Sequence, residues 1–579
     1  MSNTNNSISV GISSSKFADI VARARAAKEA LTQKSLQKQN ESGDGFIQTL
    51  DDLRAQSALL STTDKFGKQI TYNEKQSQFV SLASTHVSCC LIGPAGTGKT
   101  TAMKGTVAAL IKSPKTGILQ NHDHKHLPQG VPGIVICAYT RRATNNIRKN
   151  MDDYMKGNCV TIHKLVEYGP IYTSYIDSDG KEKTKMNFEP MRNQMNPLPS
   201  GITTIIFEES SMIGLDLYAE VINALPHDVQ IIFLGDIQQL PPVFGPAILG
   251  FKLSEIPTVE LTEVYRQALE SPIIRLAHRI LSGKPITESE LPAKDNTGEW
   301  KVPGLNIVPW KKKIDADSAL EVMAKYFIKA YEAGEYNPED DMILIPFNKS
   351  FGTTEMNKAI ANKIARSKSL VTWEVVAGFV KHYFTIGDKV LYDREDAIIL
   401  DIYPNPAYTG ALAQPESVYL DYWGHNNAPR TATQITQTQE SNDIDIDFLL
   451  AQVSKSDDED RVTQSSHHIK ILLTDSDSEK TITKAAEVNA LILGYALTVH
   501  KSQGSEWEKV YLLFHNSHAT MMQRELLYTA VTRAKKDLVI ICEPETFQKG
   551  ITSQRIKGNT LAEKAEYFKG KQSNGELMS

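Results

Sequence analysis

From Val87 onward, short apolar runs alternate with stretches of helical periodicity. The runs VSCCLIG, GIVICAY, TTIIFEE and VQIIFLGD are each bounded by Gly, Pro or polar residues, and a second series (MILIPFN, ALILGYALTV, KVYLLFHN, DLVIICE) follows. A strand apolar on both faces is one covered on both faces, so this alternation predicts parallel sheets with helices packed on either side. The expected fold is α/β with two such sheets. The expected division is a 1–66 N-terminal helical extension and linker, a first domain at 67–270 with an insertion at 166–200, and a second at 271–579 with an insertion at 385–485.

Within the first insertion, Ile171–Phe188 reads as two alternating strands around Asp179-Gly180, a hairpin turn signal. The second is β-like at both ends and acidic between them. Ahead of the first domain, Phe17, Ile20, Ala24, Ala27 and Leu31 recur at helical spacing behind Ser15 as N-cap. The basic stretch VARARAAKEAL resembles a transit peptide, but Asp19 and Glu29 interrupt it and no cleavage signal follows, so a surface helix is expected. The HDHKH cluster (His122–His126) lacks partners at metal-ligand spacing and reads as a solvated loop.

Composition changes this picture little. With 579 residues, 41% hydrophobic and 23% charged, the chain is an ordinary globular one of several domains. No apolar run reaches the roughly 18 residues of a membrane span. Five cysteines without ligand spacing fit a reducing, cytoplasmic setting better than a disulfide framework. The net charge of −5 speaks against a nucleic-acid partner only at first sight. Residues 431–466 hold eight acids and two bases, a local −6, which leaves +1 for everything else.

The chemistry is concentrated in a few stretches. Gly93-Pro94-Ala95-Gly96-Thr97-Gly98-Lys99-Thr100 fits G-x-x-x-x-G-K-[ST] between a strand and a helix, where backbone N–H groups and the helix N-terminus wrap phosphates. A chance match in a chain of this length is about 0.02. Lys99 is suited to the β- and γ-phosphates, and Thr100 to magnesium. Glu208 and Glu209 end an apolar run, where adjacent carboxylates are costly without a cation or reacting water. Gln239, in GDIQQLPP, can sense a γ-phosphate, and Arg266 and Arg533 are fixed charges suited to phosphoryl transfer.

In order along the chain, YNEKQ, GPAGTGKT, CAYTRRA, TIHKL, FEESSM, GDIQQLPPV, VYRQ, LTVHKSQGSEW and YTAVTRAKK resemble the motifs of superfamily 1B DNA helicases of the RecD-like and Dda-like group, over about 72–543. The resemblance implies ATP and Mg2+ as cofactors and 5′→3′ translocation on single-stranded DNA, with forked duplex as substrate. The chain is expected to act as a monomer, without a membrane, alongside replication or recombination proteins. Its compact size resembles phage or bacterial members, so a bacterial or phage-infected cell is the expected setting. Gln76 is assigned to the adenine, and Thr101 and Glu506 join the phosphate loop in the nucleotide set. Thr140, His163, Thr498 and His500 are assigned to the DNA strand. The hairpin falls where the family keeps its strand-separating pin, and 385–485 falls where a small barrel supports it. Two departures stand out: Glu208 where the family has Asp, and Arg141-Arg142 where it often has Gly-Arg. Other readings are an RNA-directed helicase, a protein-displacing translocase, or a nucleotide-gated loader with weak turnover.

Overall fold

The computed structural model describes residues 71–573, apart from 177–181, 243–244, 288–289, 292–293, 295–297, 311–312, 393–394, 409–463 and 475–477. The expected N-terminal helix and most of the acidic segment 431–466 therefore lie outside the described residues.

Two six-stranded sheets organise the chain. The first runs Thr258–Glu260, Cys89–Ile92, Gln230–Gly235, Thr204–Phe207, Ile134–Ala138, Cys159–Thr161, with every pair parallel. All four apolar runs of the first series are its inner strands. Their residues divide by parity between two cores: Cys90, Ile92, Val135, Ile205 and Phe233 pack on one face, and Cys89, Leu91, Ile136, Ile206 and Ile232 on the other. Burial on both faces is why these segments are apolar throughout, each large side chain contributing about 1.5–3 kcal/mol.

The second sheet runs Trp300–Val302, Leu305–Pro309, Ala534–Cys542, Trp507–Phe514, Asp341–Ile345, Ala496–Thr498. It is parallel except at the Trp300–Val302 edge. The run ALILGYALTV, expected to be one strand, is two. Ala496–Thr498 belongs to this sheet, while Ile492–Leu493 pairs with Lys389–Tyr392 in a third. Gly494 sits between them, where an added Cβ would lie 3.3 Å from the Lys389 side chain and the Val390 backbone.

That third sheet is antiparallel, with seven strands centred on Gln464–Leu473. It begins at Thr372, ahead of the expected insertion at 385. The hairpin is formed by Tyr168–Ile176 and Glu182–Pro190, with Ile171 opposite Asn187. Its Asp179-Gly180 tip, and the side chains of Tyr175, Lys183 and Lys185, lie outside those described.

The HDHKH segment is a loop as expected, with Asp123, Lys125 and His126 exposed, but it is not solvated throughout. His124 is buried, its Nε2 is 2.8 Å from the Leu165 carbonyl, and it faces Glu167, which accepts from Lys125 N (2.6 Å) and Arg192 Nε (2.8 Å). This cluster packs at the root of the hairpin, where desolvation holds the His124 pKa down. The chain end also does not stay with the second sheet. Ile556 and Phe568, the latter in helix Leu561–Ser573, join the first sheet's core, with Phe568 edge-on to Phe251 at 5.3 Å.

Candidate nucleotide and nucleic-acid site

Parallel strands bring all their carboxyl ends to one edge, and in open α/β sheets ligands bind there. At that edge of the first sheet, Ile92 leads into the phosphate loop, Phe207 into Glu208-Glu209, Gly235 into Asp236–Gln239 and Ala138 into Thr140. Residues far apart in sequence are thus collected by strand direction alone.

In the loop, Gly96 and Gly98 have φ of 82° and 81°, the left-handed region that glycine enters at little cost. Space also requires Gly98: a Cβ would lie 2.6 Å from Gln76 Nε2 and 2.7 Å from the Tyr265 ring. Thr97 Oγ1 donates to the Pro94 carbonyl (2.8 Å), and Lys99 Nζ donates to Gly93 O (2.6 Å) and Pro94 O (3.3 Å). Helix Lys99–Lys112 then places its N-terminus, with Thr100 and Thr101, at the mouth of the loop.

Gln76 is fully buried beneath this loop. It closes a capping box with Asn73, donates to Gly98 O (3.1 Å) and accepts from the Tyr265 hydroxyl (2.6 Å). As placed, the expected adenine reader braces the phosphate loop.

Glu208 is anchored through its N–H to Cys137 O (2.8 Å), and Glu209 has a φ of 50°, strained for a side chain with a Cβ. Both carboxyls are held above the usual range. Burial is the main cause, and for Glu208 the neighbouring Glu209 adds to it while Lys99 opposes. For Glu209 the opposing charges are Arg533 and Lys99, so Arg533 lies near enough to act on this carboxylate. Glu506 faces both glutamates from the second sheet.

Buried polar atoms without a partner mark where a ligand fits. Glu209 Oε2 and Gln239 Oε1 are two such atoms at this edge. Together with the mutual repulsion of the glutamates, they give the donor set a use for a hard cation and a water. Glu208 and Thr100 are the oxygen ligands suited to magnesium, and Glu208 in place of Asp keeps that chemistry.

Arg533, 3% exposed, donates to Thr529 O (2.9 Å), Ser505 O (3.1 Å) and Thr532 Oγ1 (3.2 Å). Arg266 is the first residue of helix Arg266–Glu270, and its side chain is outside those described.

The expected DNA residues divide into two kinds. Thr140 and Thr498 are buried and hold local turns, accepting from Ala143 N (3.1 Å) and Lys501 N (3.2 Å). Thr140 also lies against Gly504 of the second sheet's motif. His163 is half-buried between Tyr139 and Tyr168, with ring centroids at 5.6 and 5.1 Å. His500 is half-buried too, and its pKa is lowered by desolvation and then by Arg555.

Sequence reasoning missed the residues that join the two sheets' layers. Tyr528 hydrogen-bonds Asp236 and Ala95, Thr529 Oγ1 accepts from Leu240 N (2.9 Å), and Gln503 Nε2 donates to Leu240 O (2.6 Å). Arg142 pairs with Asp396 of the antiparallel sheet (2.6 Å) and lies 4.6 Å over the Trp507 ring. Its one sequence signal was the doubled arginine in CAYTRRA.

A family profile described as an AAA domain matches residues 71–299, and one described as a UvrD-like helicase C-terminal domain matches 493–541. The chain is 26% identical over 489 residues to the ATP-dependent RecD2 DNA helicase of Deinococcus radiodurans, covering 84% of this chain and 51% of that one. It is 23% identical to the RecBCD enzyme subunit RecD of Buchnera aphidicola, covering 80% and 71%. It therefore spans about half the length of the first relative and somewhat more than two thirds of the second. A solved Bacteroides Pif1 bound to single-stranded DNA aligns with a TM-score of 0.41 at 14% identity, covering 88% of this chain and 98% of that one. With its motifs in order and two parallel sheets to carry them, the chain is similar to the RecD-like helicases of superfamily 1B.

Proposed function

We propose that this chain is an ATP- and Mg2+-dependent DNA helicase that moves 5′→3′ on single-stranded DNA and opens forked duplex, working in the cytoplasm as a monomer. The observation that carries the reading is the meeting, at one cleft, of a phosphate loop and paired glutamates from one sheet with a buried arginine from the other. A cleft built from two sheets lets phosphate chemistry alter how they sit together, which is what a motor needs.

Lys99 and the loop N–H groups bind the phosphates, and Glu209 accepts the proton of the attacking water. Gln239 orients that water, and Arg533 and Arg266 offset charge developing on the γ-phosphate. Thr100 and Glu208 would hold magnesium, which would supply charge neutralisation for the phosphates. DNA crosses the surface at His163 and His500, with Thr140 and Thr498 holding the turns beneath it, and the hairpin parts the strands ahead of it. The proposed division is 1–66, 67–270 and 271–579, with the returning C-terminal helix as a link between the two domains.

DNA-stimulated ATP hydrolysis separates this from a nucleotide-gated loader. Strand displacement on forks with a 5′ or a 3′ tail, in DNA and RNA versions, tests polarity and substrate. A chain that hydrolyses ATP but displaces only 3′-tailed forks, or only RNA, has the wrong polarity or substrate here.

A further inference from the structure

Tyr528 is fully buried in the second sheet's core, yet both partners of its hydroxyl lie in the first sheet's layer. The hydroxyl donates to Asp236 Oδ2 at 2.6 Å and accepts from the N–H of Ala95, inside the phosphate loop, at 2.7 Å. A phenol buried only for packing needs neither contact to cross a domain boundary. Burial and the adjoining Asp236 keep it protonated, so it can serve both partners at once. The same peptide is approached from its other side: His278 Nε2 lies 3.2 Å from Ala95 O.

The next residue extends the connection. Thr529 accepts from Leu240 N through its hydroxyl, and its carbonyl accepts from Arg533 Nε. Helix Arg524–Val531 is therefore pinned to the phosphate loop and to the Asp236–Leu240 segment at the turn that also holds the Arg533 guanidinium. Moving that turn moves the arginine. A displacement of about 1 Å in a group that must meet a transition state can cost on the order of 100-fold.

We infer that Tyr528 is a positioning residue that sets Arg533 in register with the phosphate loop, an inference that rests on the ATPase reading above. The bland alternative is a core tyrosine whose hydroxyl happens to be satisfied. Tyr528→Phe removes one oxygen and keeps the ring, so both readings allow a modest loss of stability. They differ in kinetics.

The test is a double-mutant cycle on DNA-stimulated ATP hydrolysis by the full chain, with Tyr528→Phe, Arg533→Lys and both together, each checked by thermal unfolding. Tyr528→Phe is expected to lower kcat about 10-fold or more while KM for ATP moves less than about 3-fold. The double variant should fall within about 2-fold of the slower single variant, because residues acting as one unit are not additive. Multiplied losses, or an unchanged kcat in Tyr528→Phe, overturn the inference while leaving the ATPase reading standing. A wild-type chain without DNA-stimulated turnover overturns the ATPase reading, and this one with it. Should Tyr528→Phe unfold, Asp236→Asn leaves the phenol in place and weakens the bond that aims it. The same non-additivity with Arg533→Lys is expected there, and additive losses overturn the inference.

Discussion

The two parallel sheets share a plan but use their carboxyl edges differently. In the first, strands end in glycines, a lysine and paired carboxylates whose charges oppose one another. In the second, the matching edge is filled by rings. Trp310 lies edge-on to Phe351 at 6.3 Å, Phe351 stacks on His518 at 5.4 Å, and His515 joins at 6.1 Å from Trp310. His518 is fully buried, with its Nε2 2.7 Å from Phe351 O and its Nδ1 accepting from His515 N (3.1 Å). The first edge carries opposed carboxylates and unpartnered side-chain oxygens, whereas among these rings at the second only the Trp310 indole N–H lacks a partner. A shared architecture therefore does not imply a shared role, since a site lies in the side chains placed on the fold. The second sheet contributes to the cleft from its motif helix, through Arg533 and Tyr528, and from the segment that follows Ala496–Thr498, through Gln503 and Glu506, and not from this ring cluster.

If that contrast is real, damage to the first edge should abolish chemistry and damage to the second should register as stability. Lys99→Ala should lower ATP turnover by about 1,000-fold or more, because the phosphates lose the loop's own cation. Turnover within a few-fold of wild type would remove the assignment. Glu209→Gln keeps shape without basicity, and should lose about 100-fold in turnover while still binding ATP, as a filter-binding assay would show. Glu208→Asp, by contrast, should hold activity or raise it.

The hairpin sharpens the comparison, since it belongs to the first domain without belonging to its edge. Replacing 175–183 by a short Gly-Ser link should spare DNA-stimulated hydrolysis and single-strand translocation while removing most fork unwinding. Equal losses in all three would mean that the ribbon only supports its domain.

The smallest effect on turnover is expected at the second edge, where a change registers in stability instead. Burial lowers the His518 pKa from 6.5 to about 4. Because the folded value lies below the unfolded one, its contribution is complete above pH 6.5 and is lost as pH falls toward 4. The shift corresponds to about 3 kcal/mol between those limits. His518→Gln should flatten that part of the stability curve in urea titrations at several pH values. An unchanged slope would show that other groups set it.

How legible these features were follows from how local each one is. The inner strands of the first sheet could be read because burial on two faces writes an unbroken apolar run into consecutive residues. Its edge strands Cys159–Thr161 and Thr258–Glu260, three residues each, leave no such pattern. ALILGYALTV misled because it is apolar for two reasons, one in each of two sheets. His124 looked solvated among charged neighbours, while Glu167 and Arg192, which bury it, lie more than 40 residues away.

What the sequence determined by itself was the alternation of strand and helix, the phosphate loop with its glycines, and a motif order similar to that of the RecD-like helicases. These depend on contiguous residues, where spacing and backbone conformation act directly. Tertiary structure alone decided that Gln76 braces the phosphate loop, that Arg142 reaches Asp396, that Phe568 returns to the first core and that the Tyr528 hydroxyl meets Ala95. Each is a contact between elements whose approach is set by packing large faces together. Hydrogen bonds and charges acting over a few ångströms can select partners only after that packing has brought them within reach.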